Sequence, residues 1–295
     1  MRETEVIIVD GIPIDTYTRI AREAVRYAVL SIPFTFNRMG IRSLDRKIIN
    51  IAKGKLAEGL FFFFCEQNAV PINSKGGQTA FYQADLADFL FDGAEWDIKN
   101  NFLYHKGDTL QAKRYSWLPA LIPDNRKGDQ WDKGQKAKIS AGRERRFLFT
   151  FLKGGEDPAS GFQLLHLHLS SHQRRYLQQL YERYGGRRYP RPPFAEAGFW
   201  AEFFREDRSD ALFVLTDFPP LIITGYARPI HRPLFQPTAK NQVWNGGLMR
   251  TVIQNQYVRI SKLPAFATLL PRKLPLRYAR FRQLHDRGTP FRREQ

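Results

Sequence analysis

The sequence predicts a mixed α/β fold. Three stretches carry apolar residues at helical spacing: 15–30, 44–67 and 170–186. Short apolar runs typical of strands lie between and after these stretches, at 6–9, 146–153, 162–170 and several places beyond residue 194. Because both periodicities recur along one chain, we expect a sheet with helices packed against it.

Local signals place the ends of the helices. The first is expected to end before Pro33, since the residue before a proline avoids helical geometry. Ser43 is a good N-cap for the second, whose Phe-rich end is apolar all round and is expected to be buried. The third has a Ser cap and a Gly stop at its end. We also expect a short strand at 69–73.

The 295 residues allow one elaborate domain or two modest ones. We divide the chain into a strand and helix extension (1–42), a core (43–186) and a β-rich basic region (187–295). The stretch 187–194 has three prolines in five positions and is predicted to be a linker. Residues 105–145 are polar and Gly- and Lys-rich, and a loop of that length is usually functional or partly disordered.

The net charge of the chain indicates which class of molecule it binds. Lys and Arg number 46 against 29 Asp and Glu, so the formal net charge is +17. Such a field attracts polyanions, with nucleic acid as the first candidate and anionic membrane as the second. The 24 Phe, 12 Tyr and 5 Trp provide the core that a basic tail lacks, which excludes a mainly disordered chain.

The single cysteine, Cys65, excludes an intrachain disulfide and a thiolate zinc cluster. The N-terminal residues carry charges where a signal peptide needs an apolar stretch. The longest apolar run, 59–65, is much shorter than the ~20 residues of a membrane span. We therefore expect a soluble cytoplasmic protein that associates with nucleic acid and not with membranes.

The most informative stretch is a hairpin at 88–99. Asp92-Gly93 is a strong two-residue turn signal between strand-like runs. If Phe91 pairs with Ala94, then Asp88 lies opposite Asp97 and shares one face with Asp97 and Lys99. The Cβ atoms of directly opposed residues lie about 4.5–5.5 Å apart. Two carboxylates at that separation repel one another, which favours a divalent cation between them. The alternative is an exposed face carrying two acids and a lysine.

An Asp, a short hairpin and then Asp-x-Lys resembles the PD-(D/E)xK nuclease superfamily. The resemblance implies the restriction-endonuclease-like fold, in which helices flank a central mixed sheet, here followed by the β-rich basic C-terminal region. The resemblance covers roughly residues 43–104 and extends at most to 186. It implies Mg²⁺, or Mn²⁺ in its place, held by Asp88 and Asp97, with Lys99 as the catalytic lysine. That family has a Glu-bearing helix before the hairpin, and Glu58, followed by an apolar run, resembles its accessory acid.

The chain also departs from the pattern of that family. Ala87 stands where the name-giving proline would be, and Asp replaces the commoner Glu at position 97. A one-residue bulge would bring Asp85 instead of Asp88 opposite Asp97, so both remain open as the first metal ligand. The family's next helix is best placed at 108–121.

Other patterns are weaker. His166, His168 and His172 have a spacing that a zinc site allows, but no acid or Cys lies nearby in sequence, which favours ordinary histidines. The Gly-rich stretch 75–78 lacks the spacing of a P-loop, and no Ser or Cys nucleophile motif is present.

Basic residues interleaved with aromatic ones indicate nucleic-acid contacts, because cations neutralise phosphates and rings stack on exposed bases. The alternative is a solvated basic face. The residues we select are Lys113, Arg114, Arg187, Arg188, Arg277, Arg280 and Arg282.

Taken together, the sequence predicts a Mg²⁺-dependent DNA endonuclease in restriction, defence or mobile-element processing. It would act as a homodimer or with a protein partner. The alternatives are a non-cleaving nucleic-acid-binding subunit of a larger complex and an RNA-directed nuclease of the same fold.

Overall fold

A computed structural model describes residues 5–35, 41–76, 80–83, 87–103, 118–124, 144–153, 163–185, 189–206, 212–244, 247 and 249–283. Within these ranges it has four α-helices: α1 (Ile14–Ser31), α2 (Leu44–Gln67), α3 (Ser171–Tyr184) and α4 (Glu196–Phe203). The strands of the first part of the chain are β1 (Glu5–Val9), β2 (Phe89–Phe91), β3 (Ala94–Leu103), β4 (Pro119–Pro123), β5 (Arg145–Lys153) and β6 (Leu165–Leu167). Those of the second part are β7 (Phe213–Leu215), β8 (Leu221–Ala227), β9 (Gln236–Pro237), β10 (Gln242–Trp244), β11 (Met249–Thr251), β12 (Asn255–Arg259) and β13 (Ala279–Gln283).

The central element is a six-stranded mixed sheet with strand order β13-β1-β8-β5-β3-β2. Strands β3 and β5 are parallel, and the other neighbouring pairs are antiparallel. The predicted α/β class is confirmed. Smaller sheets join β4, β12 and β9, then β10 with β11, and β6 with β7.

The two faces of the central sheet are covered differently. Alternating residues Trp96, Ile98 and Leu148 face α1 and α2, where they pack with Leu60 and Phe61. The intervening β5 residues, which include Phe147 and Phe149, face the sheet of β4 and β12 instead. A third cluster joins the outer ends of α1 and α2 to α3 and α4. The central sheet is therefore enclosed between helices on one side and a small sheet on the other.

The three helices predicted from apolar spacing are confirmed. Ser43 caps α2 by accepting a hydrogen bond from the Arg46 backbone N–H at 3.4 Å. Ser170 and Gln173 form a capping box at the start of α3, and Gly185 follows its end. Beyond α2, the Asn68 side chain accepts a hydrogen bond from the Arg277 N–H at 2.8 Å and donates one to the Arg277 carbonyl, so residue 277 is tied to the helix end.

The predicted strand at 69–73 is wrong, and the predicted helix at 108–121 is contradicted at its C-terminal end. The strand expected at 69–73 is reduced to an isolated bridge between Asn73 and Leu90, because the chain turns sharply at Ala69, whose φ is +52°. The helix expected at 108–121 lies mostly outside the described residues. Its last three residues lie in β4, where pairing with β12 satisfies their backbone groups.

The three-part division of the chain stays a prediction, but the central sheet crosses its boundaries. Strand β1 comes from the first segment, β2, β3 and β5 from the second, and β8 and β13 from the third. The β-rich C-terminal segment therefore completes the same sheet that carries the hairpin.

Two glycines of α2 test how closely the helices pack. A Cβ at Gly59 would lie 2.5 Å from Cγ2 of the buried Ile20 on α1, whereas a Cβ at Gly54 would have no atom within 4 Å. We expect Gly59→Ala to lower the free energy of unfolding by about 1–3 kcal/mol, because a β-branched side chain cannot easily move aside. Gly54→Ala is the matched control and should raise it by up to about 1 kcal/mol through helix propensity. Urea unfolding measures both, and equal effects of the two substitutions would contradict the close packing.

Candidate active site

The hairpin that carries the candidate residues has the predicted register. Phe89, Leu90 and Phe91 pair with Trp96, Glu95 and Ala94. The turn residues Asp92 and Gly93 have φ angles of +50° and +66°, as a type I′ turn requires. Asp88 lies one residue before β2, and its backbone N–H donates to the Trp96 carbonyl at 2.7 Å.

Trp96 anchors the hairpin to the core. Its ring is fully buried and stacks on Phe89 at a centroid distance of 5.6 Å, and its indole N–H donates to the Phe91 carbonyl at 2.9 Å. Because side chains alternate along a strand, burial of Trp96 and Ile98 against the helices directs Asp97 and Lys99 to the opposite face. The predicted common face of Asp97 and Lys99 follows from this packing.

Asp97 is the centre of a charge cluster formed by β3 and β5. Its carboxylate accepts hydrogen bonds from Lys99 Nζ at 2.8 Å and from Arg145 Nη2 at 2.7 Å. All three side chains are largely buried, with exposed fractions of 13%, 15% and 6% for Asp97, Lys99 and Arg145. Lys99 Nζ also lies over the ring of Phe147, 5.5 Å from its centroid, as a cation–π contact. Asp97 is therefore held firmly and shielded from solvent.

Asp88 lies in a less favourable electrostatic environment. Its Oδ2 accepts a hydrogen bond from the Ile98 backbone N–H at 2.6 Å. Burial raises the pKa of Asp88 well above the ordinary value for a carboxyl, and the negative charges of Glu58 and Asp97 raise it further. Lys55 and the Ile98 N–H act in the opposite direction but do not outweigh these effects. Three carboxylates thus interact through their charges, with Asp88 between the other two.

Glu58 approaches this group from the helical side. It lies on α2 and pairs with Lys55 one turn earlier, with 2.7 Å between Nζ and Oε2. Since α2 packs on the face that holds Trp96, Glu58 belongs to the helical side, whereas Asp97 and Lys99 belong to the other face of β3. The structure brings Asp97 and Lys99 into direct contact, and it places Asp88 within electrostatic reach of both Asp97 and Glu58.

A cleft of about 940 Å³ opens beside Glu58 and Asp88. The charged residues that line it are Arg19, Glu23, Arg26, Lys55, Glu58, Glu66, Asp88 and Glu196. Acidic residues outnumber basic ones along this lining, which contrasts with the strong positive charge of the whole chain. An excess of acidic over basic side chains favours cations at that position, but burial of Asp88 disfavours the charged form of one of these acids.

Carboxylate oxygens are hard donors of the kind that Mg²⁺ takes, usually one or two carboxylates together with several waters. Asp88 and Asp97 are two carboxylates within electrostatic reach of one another, and a cation near them would relieve the charge repulsion that adds to the effect of burial on the pKa of Asp88. Among the residues that the structure describes, no group of three or more His, Cys, Asp or Glu side chains is arranged to hold a metal. Asp85, the alternative first ligand, lies outside the described residues.

Two members of the buried cluster were not selected from the sequence. Arg145 is the first residue of β5 and pairs in register with Glu95, and both are buried with 6% of their surface exposed. The spacing Glu95-x-Asp97-x-Lys99 is a sequence signal that one strand face carries three ionisable groups. Arg145 had no such signal, because its contact with Asp97 depends on the parallel pairing of strands 48 residues apart.

The three histidines considered as zinc ligands belong to β6, α3 and the loop between them, and not to the hairpin. His166 and His168 are exposed. His172 lies between two acids of another region, with Nε2 2.9 Å from the Glu202 carbonyl and Nδ1 3.3 Å from the carboxylate of Glu206.

Only some of the residues predicted to contact nucleic acid lie in the described part of the chain. Lys113, Arg114, Arg187, Arg188 and the side chain of Arg282 lie outside the described residues. Arg277 is exposed and its backbone is fixed by Asn68. Arg280 is half-exposed and forms an ion pair with Asp10.

No protein-family model, curated protein or solved structure matches this chain. The resemblance to PD-(D/E)xK nucleases therefore stays a prediction that depends on the residues of the hairpin and α2. In the described part of the chain, no helix combines the length and the apolar character that crossing a membrane requires.

The substitution Asp88→Asn tests the electrostatics of the site. It removes the charge but keeps an oxygen that can accept the Ile98 N–H. In EDTA at neutral pH we expect the variant to unfold at higher urea than the wild type, because burial and two neighbouring carboxylates oppose ionisation of Asp88.

The pH dependence of this difference is part of the prediction. A carboxyl whose pKa is raised on folding destabilises the fold only where the unfolded chain has lost its proton. The advantage of Asp88→Asn should therefore be full above the folded pKa and vanish below the ordinary value of 3.8. The control is Asp45→Asn, which removes a carboxylate paired with Arg174 elsewhere on the protein. A loss of stability in Asp88→Asn at every pH would contradict the assignment.

Proposed function

We propose that this protein is a metal-dependent endonuclease that hydrolyses phosphodiester bonds in DNA. The observation that carries the proposal is the clustering of Asp88, Asp97 and Lys99 at the hairpin, with Lys99 bonded directly to Asp97. The net charge of +17 supports nucleic acid as the substrate class, since such a field concentrates polyanions near the surface.

The residues of this chain have separate roles in the proposed reaction. The Lys99 ammonium would stabilise negative charge that develops on the phosphate, because a buried cation acts strongly where water is excluded. Asp97 holds that ammonium through the contact at 2.8 Å. The Trp96 anchor keeps the strand rigid, so that the lysine and the two carboxylates stay in fixed relation.

Asp88 and Asp97 would hold Mg²⁺, with Glu58 as an accessory acid on the side of the cleft. The ion, when bound, supplies Lewis-acid polarisation of the phosphate and lowers the pKa of an attacking water. The acidic lining of the cleft beside Glu58 and Asp88 supports cation binding at this position.

A second candidate function has one observation in its favour. Asp97 already pairs with two cations, Lys99 and Arg145, which neutralise its charge without a metal. A protein that binds nucleic acid through this fold without cutting it, as one subunit of a larger complex, fits that arrangement. The endonuclease proposal includes three further parts. These are a homodimer or protein partner, a role in defence or mobile-element processing, and DNA instead of RNA as the substrate.

The experiment is a nicking and linearisation assay on supercoiled plasmid, with Mg²⁺, Mn²⁺ or EDTA. We expect the wild type to cut with either metal and not in EDTA. Lys99→Met should lower the rate at least about 100-fold, as loss of a group that stabilises transition-state charge does. Asp97→Asn should abolish cutting, since it removes a metal ligand and leaves two buried cations without their partner.

Asp45→Asn is the matched control and should cut at the wild-type rate, because its ion pair with Arg174 lies on α2 and α3 away from the hairpin. Thermal unfolding of each variant shows whether lost activity reflects lost fold. Parallel assays on duplex DNA, single-stranded DNA and RNA separate the substrates. DNA binding by the wild type without cutting under any condition would support the binding subunit instead, and cutting that survives both site substitutions would refute the assignment of this site.

A further inference from the structure

The guanidinium of Arg145 has more donors than partners. Its side chain is 6% exposed, and its Nη2 donates to Asp97 Oδ2 at 2.7 Å. The Nε and Nη1 atoms are buried, and neither has a hydrogen-bond partner in the structure as described. Two charged donors are therefore enclosed at the candidate site without an acceptor.

Such an arrangement lowers the stability of the folded protein. A buried donor without a partner lowers stability by about 1–3 kcal/mol, and by more when the group is charged. The ring of Phe147 lies 5.6 Å from Arg145 Cζ and contacts the guanidinium as a cation–π partner, but a ring face does not replace acceptors in the plane of the N–H groups. An acceptor that arrives with a ligand would remove this penalty.

The chemistry of that acceptor follows from the geometry of the group. Guanidinium presents its N–H donors in one plane and matches the oxygens of carboxylates and phosphates. The neighbouring Lys99 adds a second cation, and the two largely buried acids of the cluster, Asp97 and Glu95, balance the two positive charges. The unpaired N–H donors of Arg145, and not an excess of charge, therefore favour an oxyanion. Asp97 and Lys99 are 13% and 15% exposed, so solvent reaches the cluster at these side chains.

We propose that Arg145 is a phosphate-contacting residue of this site, which positions Asp97 through Nη2 and binds an oxygen of the substrate phosphate through its other nitrogens. The identity of the ligand as a phosphodiester rests on the proposed function. The contact itself requires no metal, so it is separable from cleavage.

The first experiment measures binding of a short fluorescein-labelled DNA duplex in EDTA, by anisotropy over a range of salt concentrations. We expect Arg145→Met to bind about tenfold more weakly, the loss of one charge-assisted hydrogen bond. The slope of log affinity against log salt should fall in magnitude by about 1, because one phosphate contact is lost. Arg145→Lys keeps the charge and should keep the slope. A purely structural role would leave the slope of a folded variant unchanged.

Arg174→Met is the matched control, since Arg174 also pairs with an aspartate but lies on α3. It should leave affinity and slope as in the wild type. If Arg145→Met does not fold, the wild type still provides a test, because a ¹H–¹⁵N spectrum of arginine Nε groups reports on Arg145 directly. Its Nε–H signal should shift on addition of the duplex in EDTA.

The outcomes separate this inference from the proposed function. Weaker binding with a reduced slope, or a shifted Nε–H signal, in a protein that never cuts DNA would uphold the phosphate contact and refute the nuclease. Cutting by the wild type together with an unchanged slope in folded Arg145→Met and an unshifted Nε–H signal would overturn the role of Arg145 while the nuclease stands.

Discussion

The parallel pairing of β3 with β5 is the constraint on which the rest of the structure depends. It fixes Asp97 beside Phe147 in register, and it brings Arg145 from a distant part of the chain to the carboxylate of Asp97. The same two strands separate the interior into a face packed on α1 and α2 and a face packed on β4 and β12. A slip of one residue would exchange these faces and bury the charged side chains against the helices.

The site and the core are therefore built from the same strand. Trp96 and Ile98 hold β3 against the helices, and the residues between them direct their charges to the other face. Burial makes this arrangement costly, because Asp88 ionises against the charges of Glu58 and Asp97 and Arg145 keeps donors without partners. Proteins retain such unfavourable electrostatics mainly where they serve a function, which is the physical reason for proposing a functional site here.

The two sides of the hairpin differ in charge and shape. On the helical side, Glu58 and Asp88 border a cleft whose lining is acidic, whereas Asp97 on the other side is paired with two cations. Asp88 lies at the start of β2, between both environments. In the proposed reaction, a metal ion attracted to the cleft and a phosphate attracted to Lys99 and Arg145 would meet at Asp88, in a protein that is basic overall and acidic along this cleft.

Local sequence patterns were enough to predict the main helices and the turn of the hairpin. The limits of α1, α2 and α3, the Ser43 cap and the register of the Asp92-Gly93 turn all depend on neighbouring residues, and the structure confirms them. The contact of Lys99 with Asp97 belongs to the same group, because two residues on one strand face are neighbours in any fold. The tertiary structure alone decided the contact of Arg145 with Asp97, the approach of Glu58 to Asp88 and the strand in place of a helix at Pro119–Leu121. Each depends on which distant segments pair or pack together, and the free energy of those contacts is not encoded in any single stretch of sequence.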